Sequence, residues 1–95
     1  MIELIVEVKT AIRQTTTDFD ETEIIPLIKA CKIDLKNGGV SRIDEKDPCI
    51  RRAIVLYCKA NFGYREDSEK FAQAYEKFKQ SLALSGDYNT VEEAV

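Results

Sequence analysis

The segment DPCIRRAIVLYCKANFG, residues 47–63, constrains the fold more than any other part of the chain. Asp47 is a good N-cap residue, and Pro48 suits the first helical position, where its missing N–H group is not needed. Gly63 is the kind of residue that ends a helix. Between these signals, apolar residues cover much of the helix circumference, which predicts a central helix enclosed by other elements. Its predicted core residues are Ile50, Ile54, Tyr57 and Cys58.

Two helices are predicted before this segment, because apolar residues recur there at steps of three and four. The first covers about residues 3–13. The second begins near Thr22, which leaves Pro26 harmless in the first turn, or near Asp20, which predicts a mild kink at the proline. Gly38-Gly39 ends this helix where a left-handed residue is needed. Its predicted core residues include Ile28 and Cys31.

The last predicted helix covers about residues 68–84, and its core face is rich in aromatic side chains, among them Phe71 and Phe78. No stretch of the chain alternates apolar and polar residues as a half-buried strand does. We therefore predict an all-α fold, a small bundle of about four helices. Residues 1–86 are expected to form the helical domain, and residues 87–95 a flexible C-terminal tail.

Charge and composition exclude several classes of function. The formal net charge of −3 argues against a protein that binds nucleic acid by neutralising phosphates. The chain has no histidine, no G-x-G-x-x-G and no P-loop, so we predict no enzyme and no cofactor. No apolar run is long enough to span a bilayer, and Glu3 and Glu7 interrupt the only run that could act as a secretory signal. We expect synthesis in a cytoplasm.

Cysteines and acids offer two further possibilities. Cys31, Cys49 and Cys58 form no C-x-x-C pair, and we predict reduced thiols that serve packing. A thiol enzyme would instead need a cysteine that reacts rapidly in the native state. One group of acids could suggest a cation site, but it lacks the spacing and glycine of a calcium loop, and we predict no metal. That group is Asp18, Asp20, Glu21 and Glu23.

Four stretches together resemble the small head–tail connector proteins of long-tailed bacteriophages. They are ELIVEVKTAIR, EIIPLIKACKIDL, the D-P-x-I-x-x-A-I-x-L-Y-C-K-A-N-F-G-Y segment at Asp47–Tyr64, and LALSGDYN at Leu82–Asn89. These proteins are also called adaptor, head-completion or DNA-packaging proteins. The chain differs from the family pattern by adding TVEEAV at its end.

The resemblance implies a structural protein of the virion, located at the head–tail interface. Members of the family form a ring, usually of twelve subunits, beneath the portal, and this ring extends the DNA channel. The implied partners are further copies of the chain, the portal protein, and a downstream adaptor, stopper or tail-completion protein. DNA passes through such a channel without tight binding, which suits an acidic protein. No membrane is implied.

Two sets of residues are candidates for these contacts. LALSGDY continues apolar and aromatic residues past the point where the bundle is expected to need them, which predicts a portal-contact set of Tyr75, Lys79, Leu82, Leu84, Asp87 and Tyr88. The long connection 37–47 is either a solvated connector anchored by Val40 and Ile43 or a contact with the tail-side partner or the neighbouring subunit. Its candidate residues are Arg42, Asp44 and Lys46.

One other function fits the same sequence. The chain would then be a small cytoplasmic helical interaction or regulatory protein that binds nucleic acid through Arg51, Arg52 and Lys59. Solvation of these cations, or pairing with nearby acids, explains them more simply.

Overall fold

The computed structural model of the chain describes residues 2–13, 20–62, 67–86 and 88. It contains four α-helices and one short π-helical turn, and no described residue lies in a strand. The predicted all-α bundle of four helices is therefore confirmed. The elements in chain order are α1 (Ile2–Ile12), the π-helical turn (Asp20–Ile24), α2 (Ile25–Asn37), α3 (Pro48–Asn61) and α4 (Ser68–Leu84).

Helix α3 lies at the centre of the bundle and contacts α1, α2 and α4. Four consecutive residues, 53–56, are buried, so neighbouring elements enclose this helix on several sides. The Asp47 side chain accepts a hydrogen bond of 2.8 Å from the Cys49 N–H, which caps the helix as the sequence predicts. Helix α3 ends at Asn61, before Gly63, which lies outside the described residues.

One hydrophobic core joins all four helices. Five of the residues named in the sequence as core residues are fully buried: Ile28, Cys31, Ile50, Ile54 and Cys58. Three aromatic residues from the same set are partly buried and pack against this core: Tyr57, Phe71 and Phe78. The aromatic face of α4 thus closes one side of the bundle, where it packs against α3.

Both ends of α2 follow from local sequence. The chain is wound as a π-helix up to Ile24, and Pro26 then lies in the first turn of α2, a position at which proline is tolerated. At the other end Gly39 has a φ of 105°, in the left-handed region. The Gly39 N–H donates to the Lys36 carbonyl, and the Val40 N–H donates to the Leu35 carbonyl. This is the Schellman arrangement, completed by the buried pair of Leu35 and Val40.

Among the helices that the structure describes, none is long and apolar enough to cross a lipid bilayer.

Candidate interaction surfaces

The end of the described chain folds back onto the connection between α2 and α3. The Tyr88 carbonyl accepts hydrogen bonds from the N–H groups of Ser41 and Arg42, at 2.5 and 3.1 Å. The Tyr88 hydroxyl donates to Oδ2 of Asp47 at 2.8 Å, and its ring packs against the core. The expectation that the bundle does not need this segment is therefore corrected for Tyr88, because its contacts fix the connection and the first turn of α3.

These hydrogen bonds change the acidity of both partners. Partial desolvation alone would raise the pKa of the Asp47 carboxyl, but hydrogen bonds from Tyr88, Cys49 and Ile50 outweigh it. The pKa of Asp47 therefore lies below its ordinary value of 3.8. The pKa of the Tyr88 hydroxyl is raised, mainly because it donates to the Asp47 carboxylate. Asp47 thus acts as an ionised acceptor for backbone N–H groups at the start of α3 and for the Tyr88 hydroxyl.

The portal-contact set predicted from the sequence divides into buried and exposed residues. Tyr75 and Leu82 are only 3% and 5% exposed, so they belong to the interior of the domain and offer no surface to a partner. This corrects their prediction as contacts, because their positions on α4 face α3 rather than solvent. Leu84 is 84% exposed, and Tyr88 is half-buried. Asp87 lies outside the described residues.

Lys79, the remaining member of that set, is largely enclosed by its own chain. Its Nζ atom lies 3.0 Å from Oδ2 of Asp34 and 3.1 Å from Oε1 of Glu76. The Tyr75 hydroxyl donates to the same Asp34 oxygen at 2.6 Å, and the Cys31 thiol contacts that hydroxyl at 3.8 Å. This polar cluster links α2 to α4, so Lys79 has a structural role in the isolated domain.

Burial and hydrogen bonding determine the acidity of this cluster. Burial raises the pKa of the Cys31 thiol to about 12. Burial also raises the pKa of the Tyr75 hydroxyl, and its bond to the Asp34 carboxylate adds to the shift. Partial desolvation of Asp34 opposes ionisation, but the bonds from Tyr75 and Lys79 outweigh it, and the pKa of Asp34 is lowered. At neutral pH the Asp34 carboxylate is held by the Lys79 ammonium group and the Tyr75 hydroxyl, and that hydroxyl accepts from the neutral Cys31 thiol.

The connection from α2 to α3 is anchored at its start and exposed further along. Val40 is fully buried and Ile43 packs partly against the core, as the sequence predicts. Oδ1 of Asp44 accepts a hydrogen bond of 2.9 Å from the Lys46 N–H, and both side chains are exposed. Arg42 is also exposed, but it lies beside Tyr88. Arg42 therefore lies at the Tyr88 end of this connection, while Asp44 and Lys46 lie together further along it.

Asp44 and Lys46 line a cleft of about 710 Å³ between this connection, α1, α2 and α3. A Lys32–Glu45 ion pair lies in the same cleft. Acids and bases alternate around its wall, so the cleft has no single charge that would select phosphate. The complete lining is Glu3, Leu4, Lys32, Ile43, Asp44, Glu45, Lys46 and Arg51.

Two of the cations in the nucleic-acid alternative already have partners within the chain. Arg51 Nε lies 2.7 Å from Oε1 of Glu7, which joins α3 to α1. The Lys59 ammonium lies 4.7 Å from the centre of the Phe71 ring, within cation–π distance. Arg52 is exposed. Arg51 and Lys59 therefore contribute to packing between helices, and the geometry does not favour the nucleic-acid alternative.

The three thiols differ in exposure. Cys31 and Cys58 are fully buried, and burial raises the pKa of the Cys58 thiol to about 12 as well. Since the thiolate is the reactive form, these two cysteines have the properties of packing residues. Cys49 is partly exposed. In the portion of the chain that the structure describes, no group of three His, Cys, Asp or Glu residues could hold a metal ion. Asp18, part of the acid cluster, lies outside that portion.

Two exposed apolar residues were not identified as contacts from the sequence. Val6 on α1 is 58% exposed and Ile33 on α2 is 63% exposed. Neither residue belongs to the apolar stripe that its helix buries, and this position outside the stripe could have been recognised in the sequence. Together with Leu84, they are the large hydrophobic residues that the described surface exposes most.

Comparison with known proteins gives one match. The phage connector protein family matches residues 4–89, which include all four helices from Leu4 onward and Tyr88. Searches of curated proteins and of solved structures find no match. Because the match covers most of the chain, the protein belongs to the phage connector protein family, whose role is structural and joins the phage head to the tail.

Proposed function

We propose that this chain forms a closed ring beneath the portal, continues the DNA channel, and provides the platform for the downstream adaptor, stopper or tail-completion protein. The family match over residues 4–89 is the observation that carries this proposal. Twelve copies are proposed on the virion, in line with the symmetry usual for the family. Ring closure requires each subunit to offer two different complementary surfaces, which a small domain with charge of both signs can supply.

Leu84 is the proposed centre of the portal contact. Its side chain is 84% exposed at the end of α4, so it would bury apolar area only against a partner. Tyr88 follows four residues later, its N–H donates to the carbonyl of Ser85, and its own carbonyl accepts from the Arg42 N–H; Tyr88 and Arg42 are proposed to extend the contact. Asp87 precedes Tyr88 and is proposed as a polar neighbour in the same contact. This surface replaces the larger set predicted from the sequence.

Asp44 and Lys46 are proposed to contact the neighbouring subunit or the tail-side partner. They are exposed and line the cleft between the connection, α1, α2 and α3, apart from the Tyr88 end of the connection. Their carboxylate and ammonium groups suit a polar rim rather than an apolar centre.

The acidic character of the chain suits the proposed channel. With a net charge of −3, a ring of copies would repel the DNA backbone overall and would permit sliding. DNA is therefore proposed to pass without tight binding, and no membrane is a proposed partner. The proposed location is the virion, at the head–tail interface, after synthesis in the host cytoplasm.

The proposal is tested by mixing purified portal with this protein and imaging the complexes by negative-stain electron microscopy. An added ring on one face of the portal is expected. Portal particles that look identical with and without the protein, at protein concentrations well above those of the portal, would contradict the proposal.

The portal contact is tested with Leu84→Ser. We expect an unchanged helical spectrum and thermal midpoint, together with loss of the added ring, because the substituted side chain contacts little of its own domain. Lys77→Ser, on the exposed side of the same helix, is the matched control and should keep the ring. If Leu84→Ser forms the ring at the same concentration as wild type, Leu84 is not part of the portal contact.

The connection is tested with two variants in a virion assembly assay. Arg42→Ser should behave like Leu84→Ser and fail at portal attachment. Asp44→Ser combined with Lys46→Ser should attach to the portal but give incomplete rings or heads without tails. If both variants give infectious particles in normal yield, Arg42, Asp44 and Lys46 contribute to no contact needed for assembly.

A further inference from the structure

We propose that the outer face of α1 in one subunit packs against the outer face of α2 in the next. This inference rests on the proposed ring and names the surfaces that form it. The α1 face consists of Glu3, Val6, Glu7 and Thr10, and the α2 face consists of Lys29, Ile33 and Lys36.

The α1 face is an exposed stripe with one apolar residue between acids. Leu4, Val8 and Ile12 form the buried stripe of α1, and this helix packs on α3. The other side of the helix carries the exposed Val6, and Glu3 and Glu7 at its edge also pair with Arg51 of α3 in the same chain. Val6 is 58% exposed, and the Glu3 side chain is 87% exposed although it lies 3.8 Å from Arg51.

The α2 face has the opposite charge. Ile28, Cys31 and Leu35 bury the inner side of α2 against α3. Ile33 lies on the outer side at 63% exposure, between Lys29 and Lys36, which are both exposed. Steps of four and three residues place these three side chains on one line along the helix.

The two faces match in both charge and order when the helices run antiparallel. With Val6 opposite Ile33, Glu3 lies opposite Lys36, since each is three residues from the apolar centre. Glu7, whose carboxylate also pairs with Arg51 of its own chain and remains 44% exposed, then comes within reach of Lys29. The Cα atoms of Glu7 and Lys29 are about 4.5 Å apart along the axis, at a rise of about 1.5 Å per residue. Each ion pair at such an exposed site contributes little affinity, but the pattern selects register and partner.

A second copy of this chain is the occupant that fits best. Each subunit carries both faces on different helices, which is the requirement for a head-to-tail interface that can close into a ring. One apolar pair with a charged rim is a small contact, so we expect weak self-association in solution. The portal then acts as a template that brings subunits to high local concentration.

The test uses two variants with opposite changes, each mixed with portal. Glu3→Lys with Val6→Lys makes the α1 face basic, and Ile33→Glu with Lys36→Glu makes the α2 face acidic. Each variant alone should lose the ring, because like charges then meet at every junction. An equal mixture of the two variants should restore the ring. Where the two alternate around it, each basic α1 face meets an acidic α2 face, and each native α1 face meets a native α2 face. Restoration also shows that both variants are folded.

The control is Glu69→Lys with Gln73→Lys on the exposed face of α4, which changes the net charge by the same amount as the α1 variant. This control should form the ring. If wild-type protein forms no ring on the portal, the proposed function itself fails. Two results would contradict the α1–α2 interface while leaving the proposed ring unaffected. In one, wild type forms a ring and either variant alone also forms it. In the other, wild type forms a ring and the mixture of variants does not.

Discussion

The Tyr88 hydroxyl donates a hydrogen bond of 2.8 Å to the carboxylate of Asp47, the residue that caps helix α3. This contact joins the end of the described chain to the start of the central helix across 41 residues. One side chain thus stabilises both the first turn of α3 and the segment that follows α4.

Tyr88→Phe removes only the hydroxyl. We expect a loss of about 1 kcal/mol in the free energy of unfolding, because Asp47 keeps its bond to the Cys49 N–H while it loses the second donor. Urea unfolding followed by circular dichroism measures the loss. Tyr57→Phe is the matched control, and we expect a smaller effect there, since no described residue is hydrogen-bonded to that hydroxyl. Equal effects of the two substitutions would contradict a specific role for the Tyr88–Asp47 bond.

Asp47→Ala should cost more than Tyr88→Phe. It removes the cap of α3, which is worth about 1–2 kcal/mol, and leaves the Tyr88 hydroxyl without its acceptor. The two substitutions share one interaction, so the double variant should lose less stability than the sum of the single losses. Strict additivity would show that the two residues are not coupled.

Stability should fall on acidification below about pH 4.5. The pKa values of Asp34, Glu45 and Asp47 are lowered in the folded protein from ordinary values of 3.8, 4.5 and 3.8. A carboxyl with a depressed folded pKa stabilises the fold above its unfolded pKa, and this contribution disappears as pH falls through the folded value. Thermal midpoints between pH 6 and pH 2.5 measure the effect. With Asp34→Asn, the thermal midpoint should depend less on pH in the acid range. An unchanged dependence would show that Asp34 does not contribute to the loss of stability in acid.

Gly39→Ala should destabilise the protein by about 1–2 kcal/mol. Its φ of 105° is in the left-handed region, and an added Cβ would lie 3.3 Å from the Cβ of Ala83. Gly86→Ala is the control, because nothing lies within 4 Å of a Cβ added there. Chemical denaturation of both variants compares the two sites. The lower chain entropy of alanine by itself favours folding, so a loss at Gly86 as large as that at Gly39 would show that the left-handed conformation is not the cause.

Thiol labelling should follow exposure. In native protein at neutral pH, Cys49 should react first with an alkylating reagent, while Cys31 and Cys58 should react only after unfolding, because both are buried with pKa values raised to about 12. Peptide mass spectrometry after timed labelling identifies each site. Fast labelling of Cys58 in the native state would contradict its place in the core.

Much of the fold could be predicted because its signals are local. The Asp47–Pro48 start and the apolar circumference of α3 predicted a central helix, and the Gly38-Gly39 pair predicted the end of α2. Glycine tolerates the left-handed conformation that such an end requires, and the structure assigns it to Gly39. The π-helical winding before Ile25 was not predictable, because it has no residue pattern distinct from an α-helical start.

The contact surfaces were harder to predict, because they depend on long-range packing. Sequence periodicity placed Tyr75 and Leu82 on the core face of α4, where the structure buries them, and their choice as portal contacts went against that signal. The return of Tyr88 to the connection after α2 spans more than forty residues and leaves no local signal. Val6 and Ile33 could have been identified, since both fall outside the buried stripes of their helices.

The number of copies bound to one portal distinguishes a complete ring from any other mode of attachment. The mass of the purified portal complex, measured by native mass spectrometry, gives this number. We expect one discrete species carrying a complete ring of twelve copies, and no accumulation of partly filled portals. A single bound copy, or no bound copy at saturating protein, would contradict a ring-forming connector.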